Sequence, residues 1–232
     1  MFDRCVVINL DRRPERLAAF RSRVPIDWAF PPIELVPAFD GSQHEPPAWY
    51  GGPDRKRLAG SWGCFQSHLG IYKRAIADGL DSVLIFEDDA VFASDFSERS
   101  SVFLDWVPGD WDAIYFGGQH LWKDTTPPTR VNEQVIRGRN VNRTHAYAMG
   151  RAMLEKCVSA LDRPWPKQAP VNYYNFDFQL GRLHSRSRVY CPTRWLCGQA
   201  AGVSDVNSGG RFFSTLWWKE FPIVEPEALA CP

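Results

Sequence analysis

An apolar run that ends in three consecutive carboxylates constrains this chain more than any other feature. Residues 83–86 read Val-Leu-Ile-Phe, and Glu87, Asp88 and Asp89 follow directly. A short, continuous apolar run indicates a strand that is covered on both faces, as in a parallel α/β sheet. Three adjacent negative charges repel one another, so a cation or hydrogen-bond donors must offset the cost of placing them together. The run therefore predicts a buried strand whose end binds something positive.

The alternation of side chains along a strand makes this prediction more specific. If the strand continues through residue 89, Glu87 and Asp89 share one face and Asp88 points to the other. Two carboxylates on one face suit a hard divalent cation such as magnesium or manganese, which prefers oxygen ligands. We therefore expect a metal site at the end of this strand.

Length and charge exclude several classes of protein. The chain has 232 residues, which suffice for a single domain with one core, and it carries 27 basic and 27 acidic residues. Balanced charge gives the whole molecule no electrostatic attraction for nucleic acid or anionic lipid, so any polyanion site must be local. No window contains the ~18 apolar residues of a membrane-spanning helix, and the first apolar run is too short for a secretion signal. The sequence predicts one cytoplasmic domain over residues 1–232.

The six cysteines are scattered along the chain and form no Cys-x-x-Cys pair. In a chain without an export signal, this pattern favours free, buried thiols over disulfides. A zinc site formed by Cys191, Cys197 and His184 is the alternative, although its spacing matches no ordinary ligand pattern.

Strand and helix signals alternate along the chain. Strands are predicted at 5–10, 35–39, 83–87, 111–116, 144–149 and 189–192, and helices at 14–23, 61–78, 151–161 and 176–184. We expect Ser61 to cap the second helix and Gly79 to end it. We also expect Gly117 to close the strand at 111–116, and residues 119–142 to contain a hairpin. Alternation of this kind is typical of an α/β sheet of the nucleotide-binding type, whose ligands collect beyond the carboxyl ends of the strands.

A basic stretch follows the first strand, at the same predicted edge of the sheet as the carboxylates. Asn9 lies at the end of that strand, and Arg12, Arg13 and Arg16 come next. A nucleotide diphosphate needs a basic loop beside an acidic metal loop, because arginines bind phosphate oxygens while the metal bridges them. The arginines by themselves also fit the solvated face of a helix.

Several short motifs stand in a fixed order along about 200 residues of the chain. They are Ile-Asn-Leu-Asp-Arg-Arg at 8–13 with Arg16, Ala-Phe-Asp-Gly at 38–41, Gly-Cys-Phe-Gln-Ser-His at 63–68, Phe-Glu-Asp-Asp at 86–89, Trp-Asp-Ala-Ile-Tyr at 111–115, His-Ala-Tyr-Ala-Met at 145–149, Asp177, and Gly-Val-Ser-Asp at 202–205. In this order they resemble glycosyltransferase family 25, which contains lipooligosaccharide galactosyltransferases and collagen galactosyltransferase domains. Each motif is weak, but their shared order is a strong signal.

The resemblance implies a GT-A-type fold, an α/β domain whose mostly parallel nucleotide-binding sheet is flanked by helices. It also implies a nucleotide-sugar donor, a manganese or magnesium ion held by a DxD-like motif, and transfer with inversion at the anomeric carbon. Residues 1–118 would mainly bind the donor, and residues 119–232 would mainly form the acceptor side. We expect UDP-galactose as the donor and a glycan such as lipooligosaccharide as the acceptor.

The resemblance also assigns the metal ligands. Glu87, Asp88 and Asp89 occupy the DxD-like position, where Asp89 would be the first ligand and Glu87 would reach the ribose or the metal through water. His145 would be a further ligand, although a hydrogen-bonded strand histidine is the more common role for such a residue.

The resemblance assigns donor binding to residues from several of the motifs. The set comprises Asn9, Arg12, Arg16, Asp40, Gly41, Ser67, His68, Glu87 and Asp88. The arginines would bind the donor phosphates or the ribose, and the asparagine would lie near the base. By spacing alone the Asp-Gly pair is also an ordinary turn, and an inward-facing histidine is more often a satisfied structural residue.

Inverting transfer is a direct displacement, so a base must remove the acceptor proton opposite the departing diphosphate. Asp177 matches the family position that best fits this base, and partial burial would raise its pKa as the role favours. Asp205 competes for the role, since its segment could close over the metal or the phosphates. An acid at a helix N-terminus without catalytic duty is the alternative for Asp177.

Aromatic residues in the predicted loops are candidates for sugar contacts, because aromatic faces pack against sugar C–H surfaces. Of Trp49, Trp62, Trp122, Trp195, Trp217 and Trp218, we expect one or two to touch the acceptor. The apolar cluster at 211–219 fits either packing on the body of the protein or peripheral contact with the inner face of a membrane.

Two other functions stay open at this point. One is transfer to a modified nucleobase or to a hydroxylysine-type protein acceptor, although the absence of a basic stripe argues against duplex DNA. The other is a catalytically silent fold that binds only a nucleotide or a partner, which the intact acidic residues disfavour. The sequence does not indicate an oligomeric state.

Overall fold

A computed structural model describes residues 2–51, 58–121, 127–164, 174–206, 211–212, 214–217 and 223–225. Its strands are β1 (Arg4–Asn9), β2 (Ile33–Pro37), β3 (Ser82–Glu87), β4 (Ala90–Phe92), β5 (Ala113–His120), β6 (Thr129–Arg130), β7 (Val135–Arg137), β8 (Val141–Gly150), β9 (Val189–Pro192), β10 (Cys197–Gln199), β11 (Gly202–Val203) and β12 (Arg211–Phe212). Its helices are α1 (Pro14–Arg21), α2 (Ala59–Ala77), α3 (Phe96–Trp106), α4 (Arg151–Leu161) and α5 (Phe176–Leu183).

An eight-stranded sheet with the order β2-β1-β3-β8-β5-β9-β7-β6 forms the centre of the molecule. β1 pairs in parallel with β2 and β3, and β5 pairs in parallel with β9. β8 and β7 run against the direction that the other strands share. The predicted fold class, an α/β domain with a mostly parallel sheet flanked by helices, is confirmed. Because β1 and β3 are parallel neighbours, with Ile8 opposite Glu87, their carboxyl ends meet at one edge.

Two apolar clusters cover the two faces of this sheet. On β1, Val6 and Ile8 belong to the cluster that includes residues of α2, α4 and α5. Cys5 and Val7 belong to the other cluster, which includes residues of α1 and α3. Burying one such aliphatic side chain contributes roughly 1.5–3 kcal/mol, so both faces of the central strands must be apolar. This is why the strands read as continuous rather than alternating apolar runs.

Two predicted element boundaries are wrong for identifiable reasons. The second helix begins at Ala59, not at a Ser61 cap; Ser61 is buried within it, and its hydroxyl donates to Asn175 Oδ1 at 3.3 Å. β5 does not close at Gly117 but runs on to His120. A Cβ atom at Gly117 would lie 2.4 Å from the carbonyl oxygen of Cys197, so this glycine permits close packing rather than ending the strand. Gly79, with φ +73°, does follow the end of α2 as predicted.

Two short antiparallel pairs form two-stranded sheets of their own. β10 pairs with β4, and β11 pairs with β12. β6 and β7 form the hairpin predicted within residues 119–142, of which residues 122–126 lie outside the described part of the chain. Within the described ranges, no helix is long and apolar enough to span a bilayer.

The cysteines described by the structure are free thiols: Cys5, Cys64, Cys157, Cys191 and Cys197. The alternative zinc site is not formed, because His184 is committed to the core. Its Nδ1 accepts from the Val141 N–H at 3.1 Å, and its Nε2 lies 3.3 Å from the Tyr115 hydroxyl.

Candidate active site

A cleft opens at the carboxyl ends of β1 and β3. Among the residues that line it are Asn9, Arg12, Arg16, Asp40, Gly41, Ser67, His68, Glu87, Asp88, Asp89, Gln199 and Asp205. The structure thus brings every residue assigned to donor binding into one cleft, together with the proposed first metal ligand. The motifs that supply these residues are far apart in sequence, and the parallel pairing of β1 with β3 is what unites them.

The three carboxylates do not point in the directions that strand alternation predicts. β3 ends at Glu87, so the alternating geometry stops there and the next two residues form a turn. Asp88 Oδ1 lies 2.5 Å and Asp89 Oδ2 lies 3.1 Å from Arg16 Nη2. The expectation that Asp88 points away from Asp89 is therefore wrong, because both reach one guanidinium group.

Asp88 is a fully bonded residue of the cleft wall. Its Oδ2 accepts from Asn9 Nδ2 at 2.6 Å, and its Oδ1 is paired with Arg16. Burial raises the pKa of this carboxyl, and the charge of Arg16 opposes the rise. With both oxygens occupied, Asp88 fixes Arg16 and Asn9 in place. Asn9 is held within the protein by this bond and by a second one to the Arg13 carbonyl at 3.0 Å.

Asp89 differs from Asp88 in having an oxygen without a partner. Its Oδ2 accepts from Gln199 Nε2 at 2.9 Å and pairs with Arg16, but its Oδ1 is buried and makes no hydrogen bond with any described residue. Burial, followed by the nearby charge of Glu87, raises the pKa of Asp89 to about 7. A buried acceptor of this kind needs compensation, and a divalent cation bound at Oδ1 would supply it. The donor set therefore fits a hard metal ion.

Glu87 turns towards α2 and β8. Its Oε1 lies 3.2 Å from His68 Nε2 and accepts from the Thr144 hydroxyl at 2.5 Å. Burial raises the pKa of Glu87, but these bonds and the histidine outweigh it and bring the pKa to about 2. The ring of His68 also stacks on Phe176 and its Nδ1 bonds the Tyr147 hydroxyl at 2.7 Å. His68 is thus a satisfied structural residue that also lines the cleft.

Asp205 lies among arginines. Its carboxylate is 2.8 Å from Arg12 Nη1, 2.5 Å from Arg13 Nη1 and 3.2 Å from Arg16 Nη1. The first of these arginines also binds Asp40 at 2.8 Å. The basic stretch is therefore not a solvated helix face, and Asp205 is ion-paired with its arginines.

The loop that carries Asp40 and Gly41 packs tightly on the start of α2. A Cβ atom at Gly41 would lie 1.8 Å from the Ala59 carbonyl oxygen, so only glycine fits there. Ser67 Oγ accepts from the Phe39 N–H at 2.8 Å and donates to the Gly63 carbonyl at 2.7 Å. Asp40 itself accepts from the Ser42 N–H at 2.9 Å, as an ordinary turn residue does. These motif residues shape the cleft by holding its loop.

A second cleft adjoins the first and contains Asp177. Its lining includes Ser61, Arg143, Thr144, Asn175 and Phe176, and it shares Cys64, Glu87, Gln199, Ser204 and Val206 with the first cleft. Asp177 Oδ2 accepts from the backbone N–H of Arg143 at 3.1 Å, and Arg143 adopts a left-handed φ of 71°. Burial raises the pKa of Asp177, although backbone hydrogen bonds counter it in part. The predicted base therefore lies beside, and not within, the charged cleft.

His145 is placed differently from the other candidates. It is fully buried, its Nε2 lies 3.4 Å from the Cys197 carbonyl oxygen, and it is absent from the described residues that line either cleft. Burial lowers its pKa to about 4, against the charge of Glu87. This geometry matches the hydrogen-bonded strand histidine, and its role as a metal ligand stays a prediction.

The profile of a known family matches most of this chain. "Glycosyltransferase family 25 (LPS biosynthesis protein)" aligns with residues 2–163. The chain belongs to glycosyltransferase family 25. The match covers β1, α1, α2, β3 and the carboxylate cluster, which supply most of the lining of the first cleft, whereas Gln199 and Asp205 lie beyond it.

Members of family 25 from animals are similar to this chain over about three quarters of its length. A "Glycosyltransferase 25 family member" from Aedes aegypti is 30% identical over 182 residues, which cover 72% of this chain and 29% of that protein. "Inactive glycosyltransferase 25 family member 3" from Homo sapiens is 30% identical over 191 residues, covering 75% and 31%. "Procollagen galactosyltransferase 2" from Mus musculus is 28% identical over 193 residues, covering 75% and 30%. The chain thus matches less than a third of the length of these relatives.

Three residues of this family 25 site were not predicted from the sequence. Gln199 reaches Asp89 because β10 pairs with β4, and Thr144 reaches Glu87 across the β3–β8 pair. Arg143 supplies an N–H to Asp177 from a position within β8 that has a left-handed φ. Local sequence gives no signal for the first and third of these. Thr144 was predicted as a strand residue, and its position next to the His-Ala-Tyr-Ala-Met motif was the available clue.

The aromatic candidates are mostly packed in the protein. Trp195 is 2% exposed and stacks on His120, so it belongs to the core rather than to an acceptor site. Trp49 and Trp62 pack edge to face, with ring centroids 5.7 Å apart. Trp122, Trp218 and part of the cluster at 211–219 lie outside the described residues.

Proposed function

We propose that this family 25 member is a metal-dependent, inverting glycosyltransferase that moves a hexose from a nucleotide sugar to a hydroxyl of a glycan acceptor. UDP-galactose is the donor we favour, because a relative with 28% identity bears the name of a galactosyltransferase. A lipooligosaccharide-type acceptor agrees with the description of the matching family. The observation that carries the proposal is the buried Oδ1 of Asp89, which accepts no hydrogen bond from the described residues and lies in a cleft of net negative charge.

The charge of the cleft supports the metal requirement. Five carboxylates and two guanidinium groups line it: Asp40, Glu87, Asp88, Asp89, Asp205, Arg12 and Arg16. At an effective dielectric constant near 20, a phosphate charge ~4 Å from one carboxylate is repelled by about 4 kcal/mol. A diphosphate therefore needs a counter-charge that the protein alone does not supply. Asp89, with Glu87 directly or through water, would hold a divalent ion, which would neutralise the charge that develops on the leaving diphosphate.

The arginines would complete the diphosphate site. Arg12 and Arg16 line the cleft and offer guanidinium N–H groups, which bind phosphate oxygens bidentately. Both now pair with Asp205, so donor phosphates would compete with this carboxylate for the same donors. Asp88 would keep Arg16 oriented during this exchange, because it pairs with the Arg16 guanidinium and is itself held by Asn9.

Asp177 is the base that we propose for the acceptor. It lies in the adjoining cleft, so an acceptor hydroxyl there would approach the donor across the shared wall formed by Glu87 and Cys64. The Arg143 N–H fixes the orientation of the carboxylate, and burial raises its pKa towards the range useful for a base. The acceptor proton would pass to Asp177 as the hydroxyl oxygen attacks the anomeric carbon. Glu87 is unsuited to this step because its pKa is held at about 2.

A catalytically silent, nucleotide-binding fold is the second candidate, since one relative with 30% identity is named inactive. The presence of Asp89 and Asp177 in adjoining clefts argues against it. Transfer to a protein hydroxylysine or a modified nucleobase is the remaining alternative and differs only in the acceptor.

Release of UDP from a panel of UDP-sugars tests the proposal. We expect manganese-dependent release from UDP-galactose, faster than from UDP-glucose or UDP-N-acetylglucosamine, and loss of the signal in EDTA. Addition of lipooligosaccharide, a hydroxylysine peptide or a hydroxymethylated nucleobase would show which acceptor accelerates the release. Binding of UDP without release from any UDP-sugar, with or without these acceptors, would favour the silent fold.

A further inference from the structure

Gln199 is held beside the carboxylate cluster by backbone hydrogen bonds of its own N–H and of the next residue. Within the antiparallel pair of β4 and β10 it lies opposite Ala90, the residue after Asp89. The backbone N–H of Ala200 donates to the Asp89 carbonyl at 2.7 Å, and the backbone N–H of Gln199 donates to the Leu216 carbonyl at 2.8 Å. Its side chain is therefore presented to the cleft from a rigid element and not from a free loop.

The contact between Gln199 and Asp89 leaves one oxygen of each side chain without a partner. Gln199 Nε2 donates to Asp89 Oδ2 at 2.9 Å. Gln199 Oε1 and Asp89 Oδ1 are both buried and make no hydrogen bond with any residue that the structure describes. Buried side-chain acceptors are nearly always bonded, so two adjacent residues that each keep one such oxygen indicate a common partner.

The chemistry of this partner follows from the two atoms. A carboxylate oxygen and a carboxamide oxygen are both hard acceptors, and together they match the ligands that magnesium, manganese and calcium take in proteins. We propose that Gln199 Oε1 is a ligand of the divalent ion, alongside Asp89 Oδ1. This inference rests on the metal dependence in the proposed function.

A neutral ligand also suits the charge of the site. Five carboxylates already line the cleft, and each further negative charge would repel the diphosphate of a donor. A carboxamide contributes an oxygen to the ion without adding charge. Gln199 lines both clefts, as Glu87 does, so an ion held there would lie at the wall between the donor and acceptor sides.

The alternative is that Gln199 only positions Asp89 through its Nε2 donor. The two roles predict opposite results for Gln199→Glu. As a ligand, glutamate keeps an oxygen and adds charge, so manganese binding is retained or tightened. As a positioning residue, glutamate loses the donor and repels Asp89, so binding falls.

Manganese binding measured by electron paramagnetic resonance, at pH 8 and without donor or acceptor, tests this directly. We expect Gln199→Leu to weaken manganese binding at least tenfold and Gln199→Glu to bind at least as tightly as the wild type. Gln134→Leu, which changes a glutamine beside β7, serves as the matched control and should bind like the wild type. Wild-type affinity in Gln199→Leu, or weaker binding in Gln199→Glu, would overturn the inference. If Gln199→Leu fails to fold, Gln199→Glu alone decides.

UDP release from UDP-galactose, measured in parallel, separates this inference from the proposed function. Manganese binding that depends on Gln199, without UDP release from any UDP-sugar in the presence or absence of the acceptors named above, would support the ligand and refute the transferase. UDP release that persists in EDTA from a protein that binds no manganese would refute the ligand and leave transfer standing.

Discussion

The two adjoining clefts hold their carboxylates in different ways. In the first, Asp88, Asp89 and Asp205 are paired with the guanidinium of Arg16 and with side-chain amides. In the second, Asp177 is buried and accepts a hydrogen bond from the backbone N–H of Arg143. Burial raises the pKa of acids in both clefts, but different groups oppose the rise: the charge of Arg16 at Asp88 and Asp89, and backbone hydrogen bonds at Asp177. The acids of the two clefts therefore differ in their partners: charged side chains hold Asp88 and Asp89, which suits the proposed binding role, and a backbone donor orients Asp177, which suits the proposed proton transfer.

Glu87 on the shared wall sharpens this comparison, because it faces both clefts. Hydrogen bonds from His68 and Thr144 hold its pKa at about 2, while burial raises that of Asp177. Two carboxylates in one cleft therefore have separate proton affinities. Such separation is how one site provides a permanent charge and a base at the same pH.

Asp89→Asn is expected to produce the largest effect, on the binding side of the comparison. Loss of the metal-binding charge should reduce transfer roughly 10⁴-fold, since a metal ion contributes several kcal/mol to the stabilisation of a leaving diphosphate. Manganese binding should fall with it. Asp88→Asn is the matched control, because both oxygens of Asp88 are already bonded within the wall. Steady-state transfer and manganese titration of both variants check this, and equal losses would erase the distinction between the two aspartates.

Asp177→Asn tests the proton-transfer side. We expect kcat to fall about 10³-fold, within the usual range for loss of a general base, while UDP and manganese bind normally. Asp162→Asn, which removes an exposed partner of Lys73 at 2.8 Å, is the control for loss of a negative charge at the surface. Transfer at wild-type rates in Asp177→Asn would remove this residue as the base.

The pH dependence should follow the raised pKa of Asp177. Because the base must be ionised, kcat should fall up to tenfold per pH unit below that pKa, at a pH above the ordinary aspartate range. The contribution of Asp177 to the free energy of unfolding should change in the opposite sense and fall as the pH rises. A carboxyl whose pKa is raised by folding stabilises the protein fully below its unfolded pKa, and this contribution is lost as the pH rises through the folded pKa. Asp177→Asn should thus become more stable relative to the wild type as the pH rises from 4 to 8, measured by urea unfolding, and a constant difference would contradict the shift.

Sequence reasoning located the carboxylate strand and the basic stretch because both depend on local patterns. Continuous apolar runs at residues 5–8 and 83–86 require burial on both faces, and parallel strands bring their carboxyl ends together. The role of Gln199 depends on the pairing of β10 with β4 across more than one hundred residues, which no local pattern encodes. The direction of Asp88 depends on where β3 stops, a boundary that propensity leaves uncertain by a few residues.

Removing the ion pairs of Asp205 is expected to have the smallest effect, and it tests whether this carboxylate competes with the donor for the arginines. Asp205 now occupies guanidinium groups of Arg12, Arg13 and Arg16 that a donor diphosphate would use. Asp205→Asn removes this competing charge, so UDP should bind about threefold to tenfold more tightly in the presence of manganese, as measured by calorimetry. The gain is small because the freed arginines also lose a partner that orders them, and their pairs with Asp40 and Asp88 remain. Weaker UDP binding in this variant would instead mean that Asp205 holds the arginines in their binding geometry, and its ion pairs would then support the donor site rather than compete with the donor.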